Sequence, residues 1–216
     1  MEKYQNKYRI DTTRLKNWDY GSTGFYFVTI CTRSHKNYFG DIIQTVETQN
    51  FASLRFPQLN PTPIGKIAHQ YWSEIPNHFP FVVLDEFVIM PDHLHGILYF
   101  DKPERRDAKS CVSTTVIPAT NKFGPQSKNL ASVIRGYKAA VKKYATINSI
   151  KFVWQPRYHD HVIRTERELQ AIRRYIQNNP KKWMDKMNNL NATETQNLNA
   201  VETQNFASLL HCQSKK

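Results

Sequence analysis

The sequence predicts an α+β fold in which an antiparallel sheet is flanked by helices. Two β-prone runs, FVVLDEFVIM (81–90) and HLHGILYF (93–100), are separated only by Pro91-Asp92. That connection is short enough to make them an antiparallel hairpin. Three other stretches carry apolar residues at helical spacing. With 40% hydrophobic and 22% charged residues in 216, the chain has material for one sizeable core. Strands and helices mixed around a hairpin pack as layers over that core.

In chain order, GFYFVTICT (24–32) is bounded by Gly24 and reads as a strand. TPIGKIAHQYWSEI (62–75) places Ile64, Ile67, Ala68, Tyr71 and Trp72 on one stripe, the spacing of a helix. The hairpin comes next. Residues 101–127 hold most of the remaining loop signals and are expected to form a long surface connection. A second helix is expected over about 128–145, with Leu130, Val133, Ile134, Tyr137 and Val141 aligned. KFVWQ (151–155) reads as a short strand. The last helix begins at Thr165, which with Glu168 forms a T-x-x-E capping box, and stops before Pro180.

A nonamer repeat interrupts this pattern. VETQNFASL occurs at 46–54 and again at 201–209, with a degenerate copy, ATETQNLNA, at 192–200. Copies this few and this polar cannot stack as a solenoid. They are read as low-complexity sequence: an insertion at about 44–58 and a disordered tail over 188–216. The organisation expected is one domain over 1–187 followed by that tail.

Composition removes several functional classes. Cys31, Cys111 and Cys212 show no CxxC spacing and frame neither disulfides nor a cysteine zinc site. The seven glycines form neither GxGxxG nor GxxxxGK. No apolar run nears the ~20 residues needed to span a bilayer. The N-terminus lacks a secretory apolar region, so a cytoplasmic protein with no membrane partner is expected. Lys and Arg number 30 against 18 Asp and Glu, a net charge of +12. Residues 128–187 hold 14 of the former and 4 of the latter. That concentration points to a polyanion.

The chemistry-bearing residues form three groups. His93-Leu94-His95 sits in a predicted strand, where alternate side chains share a face. His93, His95, Ile97 and Tyr99 then point one way, and Leu94, Gly96, Leu98 and Phe100 point into a core. Two imidazoles about 7 Å apart along the strand can converge on one metal ion, or each can bond locally. His159-Asp160-His161 is a second pair that spacing alone does not exclude; its charged middle residue gives it no apolar anchor. On the capped helix, Tyr175 and Asn179 are four residues apart and share a face, with Arg173 and Arg174 beside them. A tyrosine on a basic helix suits attack on a phosphodiester, and a phenol, whose ordinary pKa is about 10, needs a metal or a base to activate it. Spacing alone does not choose among eleven tyrosines.

Taken together, VIMPDHLHGIL (88–98), FVWQPRYHDHVIR (152–164) and YIQNNPKKW (175–183) resemble the REP-associated tyrosine transposases, IS200-like members of the HUH single-strand nucleases. GFYFVTICT fits that family's first strand, and the resemblance spans roughly residues 20–187. It implies a ferredoxin- or RRM-like sandwich. It implies His93, His95 and Asn179 as ligands of a divalent metal, Mg²⁺ or Mn²⁺, and Tyr175 as nucleophile. Attack would leave a 5′-phosphotyrosine on the enzyme and a free 3′-hydroxyl on single-stranded DNA beside a hairpin. The chain departs from many relatives in having Asp92 where they have Asn, either as an acidic partner of a ligand histidine or as a turn cap. His161 matches a position that is His in relatives, whereas His159 matches a variable one.

Candidate phosphate contacts are Arg157, Arg164, Arg173 and Arg174, and Trp154 and Tyr158 could stack a base. His161 joins them as a DNA-binding candidate. The assembly implied is a monomer or a homodimer. Two alternatives stand beside this reading: a catalytically inactive protein that binds structured DNA or RNA, and a metal hydrolase using His93, His95 and a bound water.

Overall fold

The computed structural model describes residues 3–4, 7–8, 14–15, 18–49, 52–102 and 127–189. The loop expected over 101–127 and the tail over 188–216 therefore lie almost wholly outside the described residues. The chain divides into two units, one of Met1–Asp41 with Leu59–Gln177, the other of Ile42–Gln58 with Asn178–Lys216.

In the first unit, after the two-residue strands β1 (Lys3–Tyr4) and β2 (Lys7–Tyr8), four strands form one antiparallel sheet. They are β3 (Gly24–Cys31), β6 (Val82–Ile89), β7 (His93–Phe100) and β8 (His159–Ile163), in the order β6-β7-β3-β8. The hairpin expected from Pro91-Asp92 is the β6–β7 pair. KFVWQ contributes only an isolated bridge between Thr32 and Trp154. The edge strand beside β3 is β8 instead, whose HDH start lacks the apolar alternation that marks a strand.

Three helices cover the sheet. α1 (Pro63–Ser73) is capped by Thr62, whose side chain accepts from the Gly65 amide, and a single turn, α2 (Ile75–His78), follows. α3 (Leu130–Ile147) starts in a reciprocal capping box between Asn129 and Ser132. α4 is Glu166–Gln177. At its start the Glu168 amide donates to Thr165 Oγ1 (3.2 Å), but the Glu168 carboxylate accepts from the Arg164 amide (3.0 Å). The expected box is thus half formed.

Period-two alternation sorts the sheet residues into two cores. Tyr26, Val28, Ile30, Leu94, Leu98 and Phe100 pack against Ile64, Ala68 and Trp72 of α1 and Val133, Ile134, Tyr137 and Val141 of α3. On the opposite face Ile97 and Ile163 meet Leu169 and Ile176 of α4, with Phe25, Phe27, Val88 and Ile172 around them. Gly96 permits a close approach between sheet and helix. A Cβ there would lie 2.4 Å from Cζ2 of the Trp72 ring, so only glycine lets α1 seat its tryptophan on β7.

One expectation changes in the second unit. The segment expected as a low-complexity insertion at 44–58 lies within β4 (Gly40–Gln49) and β5 (Ala52–Pro61), which pair as a two-stranded ribbon. Thr45 Oγ1 adds a side-chain bond to the Phe56 carbonyl at 3.0 Å, and the backbone pairing of the two strands makes little demand on side-chain hydrophobicity. α4 stops at Gln177, before Pro180 as expected, and Pro180 itself lies in the first turn of a further helix over 179–189, α5. A proline's missing N–H has no intrahelical partner to lose there. Among the described residues no helix is long and apolar enough to cross a membrane.

Candidate active site

β7 carries the centre of the site. His93 and His95 project from the sheet face that α4 covers, and their ring centroids lie 4.6 Å apart. Each is held through Nδ1. His93 Nδ1 is 2.5 Å from Asp92 Oδ1, and His95 Nδ1 is 2.9 Å from Thr29 Oγ1 on the paired strand β3. With each Nδ1 facing an oxygen, Nε2 is the nitrogen through which either ring would hold an ion, in the tautomer that keeps the proton on Nδ1.

Burial decides the electrostatics. Desolvation, reinforced by the charge of His93, drives the His95 pKa down to about 3, so its imidazole is neutral near pH 7. Asp92 has a 7% exposed side chain. Burial pushes its carboxyl up, but hydrogen bonds and charge from His93 and His35 outweigh this and hold it below the ordinary carboxylate range. Asp92 thus acts as the acidic partner of a candidate ligand. His35, whose Nδ1 lies 2.8 Å from Asp92 Oδ2, carries no motif; it reaches Asp92 because the Thr32 amide pairs with the Asp92 carbonyl at 2.8 Å.

Tyr175 arrives from α4. Its hydroxyl lies 3.3 Å from His95 Nε2, and the two rings meet edge-on with centroids 5.2 Å apart. Phe27 stacks on His95 and meets Tyr175 edge-on, walling the pair. Tyr175 remains 41% exposed, so the hydroxyl is reachable by a large substrate. Two imidazoles each held through Nδ1 and a tyrosine hydroxyl at hydrogen-bond reach can bind a divalent cation and present an oxygen nucleophile beside it. The donor set fits such an ion in part: two nitrogens are provided, and no group of three His, Cys, Asp or Glu side chains occurs among the described residues.

The other candidates separate. Asn179 belongs to the second unit, where it is 8% exposed. The sheet register pairs Thr29 with both His95 and His159, and Phe27 with both Ile97 and His161. The second histidine pair therefore shares the face of the first. His161 is committed to Glu168, its Nε2 2.6 Å from Oε1 at the start of α4. Trp154, expected to stack a base, packs against Phe39, Tyr137 and Phe152 and donates from Nε1 to the Lys138 carbonyl. Tyr158 likewise packs on the core, with its hydroxyl accepting from Arg14 at 2.8 Å. Arg173, expected on phosphate, grips Asp85 through Nε (2.8 Å) and Nη2. Arg157, Arg164 and Arg174 are exposed, with the Arg164 guanidinium 5.7 Å from the centre of the Trp18 ring.

Fold and site together define an α+β protein in which an antiparallel sheet, helix-covered on both faces, presents a histidine pair to a tyrosine. The chain belongs to one family with a Haemophilus influenzae protein described only as uncharacterized: the two are 39% identical over 174 residues, which is 79% of this chain and 87% of the relative. No protein-family model matches. A solved structure of a REP-associated tyrosine transposase bound to a REP hairpin aligns over 80% of this chain and 74% of its own, at 16% identity and a TM-score of 0.49.

Proposed function

We propose that this protein cleaves and rejoins single-stranded DNA at hairpin-associated sites, with Tyr175 as nucleophile and His93 and His95 as ligands of a divalent cation, Mg²⁺ or Mn²⁺. The observation that carries the reading is the 3.3 Å approach of the Tyr175 hydroxyl to His95 Nε2, made between residues 80 positions apart. When bound, the cation would polarise the scissile phosphate and stabilise charge on its oxygens. Tyr175 attacks phosphorus through its hydroxyl oxygen. The P–O3′ bond breaks, the phenolic proton leaves to solvent or a base, and the released 3′-hydroxyl takes up a proton. The phosphotyrosine conserves the phosphodiester bond, so a 3′-hydroxyl reverses the step without ATP. Exposed Arg157, Arg164 and Arg174 supply phosphate contacts.

The test uses an end-labelled single-stranded oligonucleotide with a hairpin, drawn from repeats flanking the chain's own gene, incubated with Mg²⁺ or Mn²⁺. A covalent protein–DNA adduct on a denaturing gel is expected from the wild type and not from Tyr175→Phe. Adduct formation by Tyr175→Phe at the wild-type level overturns the nucleophile. Cleavage without an adduct makes the protein a hydrolase, and salt-sensitive binding with no cleavage under either metal makes it a binding protein.

A further inference from the structure

The sheet carries one irregularity, and it lies under α4. Leu84 of β6 pairs with Leu98 of β7, and the next pair is Phe87 with Gly96. Asp85 and Glu86 therefore oppose Ile97 together, two residues against one, as a β-bulge. Strict alternation would send one of these two carboxylates toward the α1/α3 core. The extra residue lets both serve the α4 side, where Ile97 lies.

Both are used there. Asp85 takes a two-pronged grip from Arg173, and Glu86 Oε1 accepts from Gln177 Nε2 at 3.0 Å. The Glu86 amide donates to Asp85 Oδ1 at 2.7 Å, which helps fix the carboxylate that the arginine grips. The ion pair is sheltered, with side chains 29% and 14% exposed, so it is screened less than a surface pair. Arg173 and Gln177 are four residues apart and share one flank of α4.

Tyr175 occupies the other flank. At about 100° per residue, Gln177 and Tyr175 lie on opposite sides of Ile176, which points into the second core. The apolar stripe of Leu169, Ile172 and Ile176 holds the helix down, but dispersion is non-directional and tolerates rolling. The hydrogen-bonded grip on one flank is directional. With a helix radius of about 5–6 Å, a roll of about 10° moves the Tyr175 side by about 1 Å. A misplacement of that size is worth about 100-fold in rate.

We propose that the Asp85–Glu86 bulge, gripping Arg173 and Gln177, sets the roll of α4 and so holds the Tyr175 hydroxyl at His95; these four are positioning residues. This rests on the reading of Tyr175 as nucleophile. The test compares wild type, Asp85→Asn, Arg173→Gln and the charge-reversed pair Asp85→Arg/Arg173→Asp. Single-turnover adduct formation with Mn²⁺ and the Kd for the same hairpin oligonucleotide are measured for each. A third readout is the ¹⁹F resonance of fluorotyrosine placed at 175.

Asp85→Asn and Arg173→Gln should each slow adduct formation about 10- to 100-fold, with Kd within about threefold of wild type. The ¹⁹F signal should shift or broaden. The reversed pair should recover part of both, which a general loss of stability would not allow. Single variants that keep the wild-type rate and ¹⁹F resonance, or whose losses track Kd, overturn the proposal. If the wild type forms no adduct while the ¹⁹F signal still moves in both single variants, the nucleophile reading fails and the positioning grip stands. Should Asp85→Asn not fold, Arg173→Lys, which keeps the charge and loses the second prong, gives the same comparison.

Discussion

Replacing Gly96 with alanine tests whether the packing under the histidine pair is as tight as the structure requires. The added methyl would lie 2.4 Å from Cζ2 and 3.0 Å from Cε2 of Trp72, against an ordinary contact of 3.4 Å or more. Ring and strand must separate by about 1 Å. Trp72 is fully buried, meets Tyr137 edge-on and lies near Phe87, so the ring has no open side to swing into. Overpacking of this kind costs about 1–3 kcal/mol, or about 2–12 °C in Tm for a chain of this size. Thermal unfolding followed by circular dichroism measures it. Trp72→Phe removes the clashing atom, so Gly96→Ala should cost much less in that background, a non-additivity a double-mutant cycle reads directly. A Gly96→Ala protein that melts within about 1 °C of wild type would refute the reasoning.

Three further outcomes follow from the same geometry. Thr29→Val removes the partner of His95 Nδ1; Mn²⁺ affinity by calorimetry should fall about 10- to 100-fold, and an unchanged affinity would exclude the assigned tautomer. The hydrogen bonds from Arg173, acting with its charge against burial, hold the Asp85 carboxyl below its usual 3.8. Its contribution is complete above pH 3.8 and is lost as pH falls through the folded value, so Asp85→Asn should flatten stability against pH below about pH 4. Arg157→Ala should lower the slope of log K against log salt for single-stranded DNA by about 0.7, whereas Arg173→Ala, its guanidinium already on Asp85, should leave the slope unchanged.

Much of the architecture was legible because its signals are local. The β6–β7 hairpin follows from two β-prone runs with two residues between them, and helices α1 and α3 from their apolar stripes. The facing of His93 and His95 follows from strand alternation alone. β8 was not legible: HDHVI is polar at its exposed start and becomes a strand only by pairing with β3. The ribbon of β4 and β5 escaped for the same reason, since a backbone ladder leaves little trace in a polar sequence.

Side-chain commitments were the least legible part of the candidate site. Arg173 and Arg174 are adjacent and identical in the sequence, yet only Arg173 grips Asp85, because it lies on the flank of α4 that faces the Asp85–Glu86 bulge, 88 positions away. Trp154 and Tyr158 read as available aromatics until Trp154 bonds to α3 and Arg14 reaches the Tyr158 hydroxyl. The sequence by itself determined the β6–β7 hairpin, the helices α1, α3 and α4, the face the histidines share and the region where positive charge collects, since each depends on neighbours within a few residues. Only the tertiary structure decided that Tyr175 meets His95, that Asp92 joins His93 to His35, and which arginines remain exposed. Those outcomes depend on hydrogen-bonding partners brought together from distant parts of the chain, and local periodicity carries no record of them.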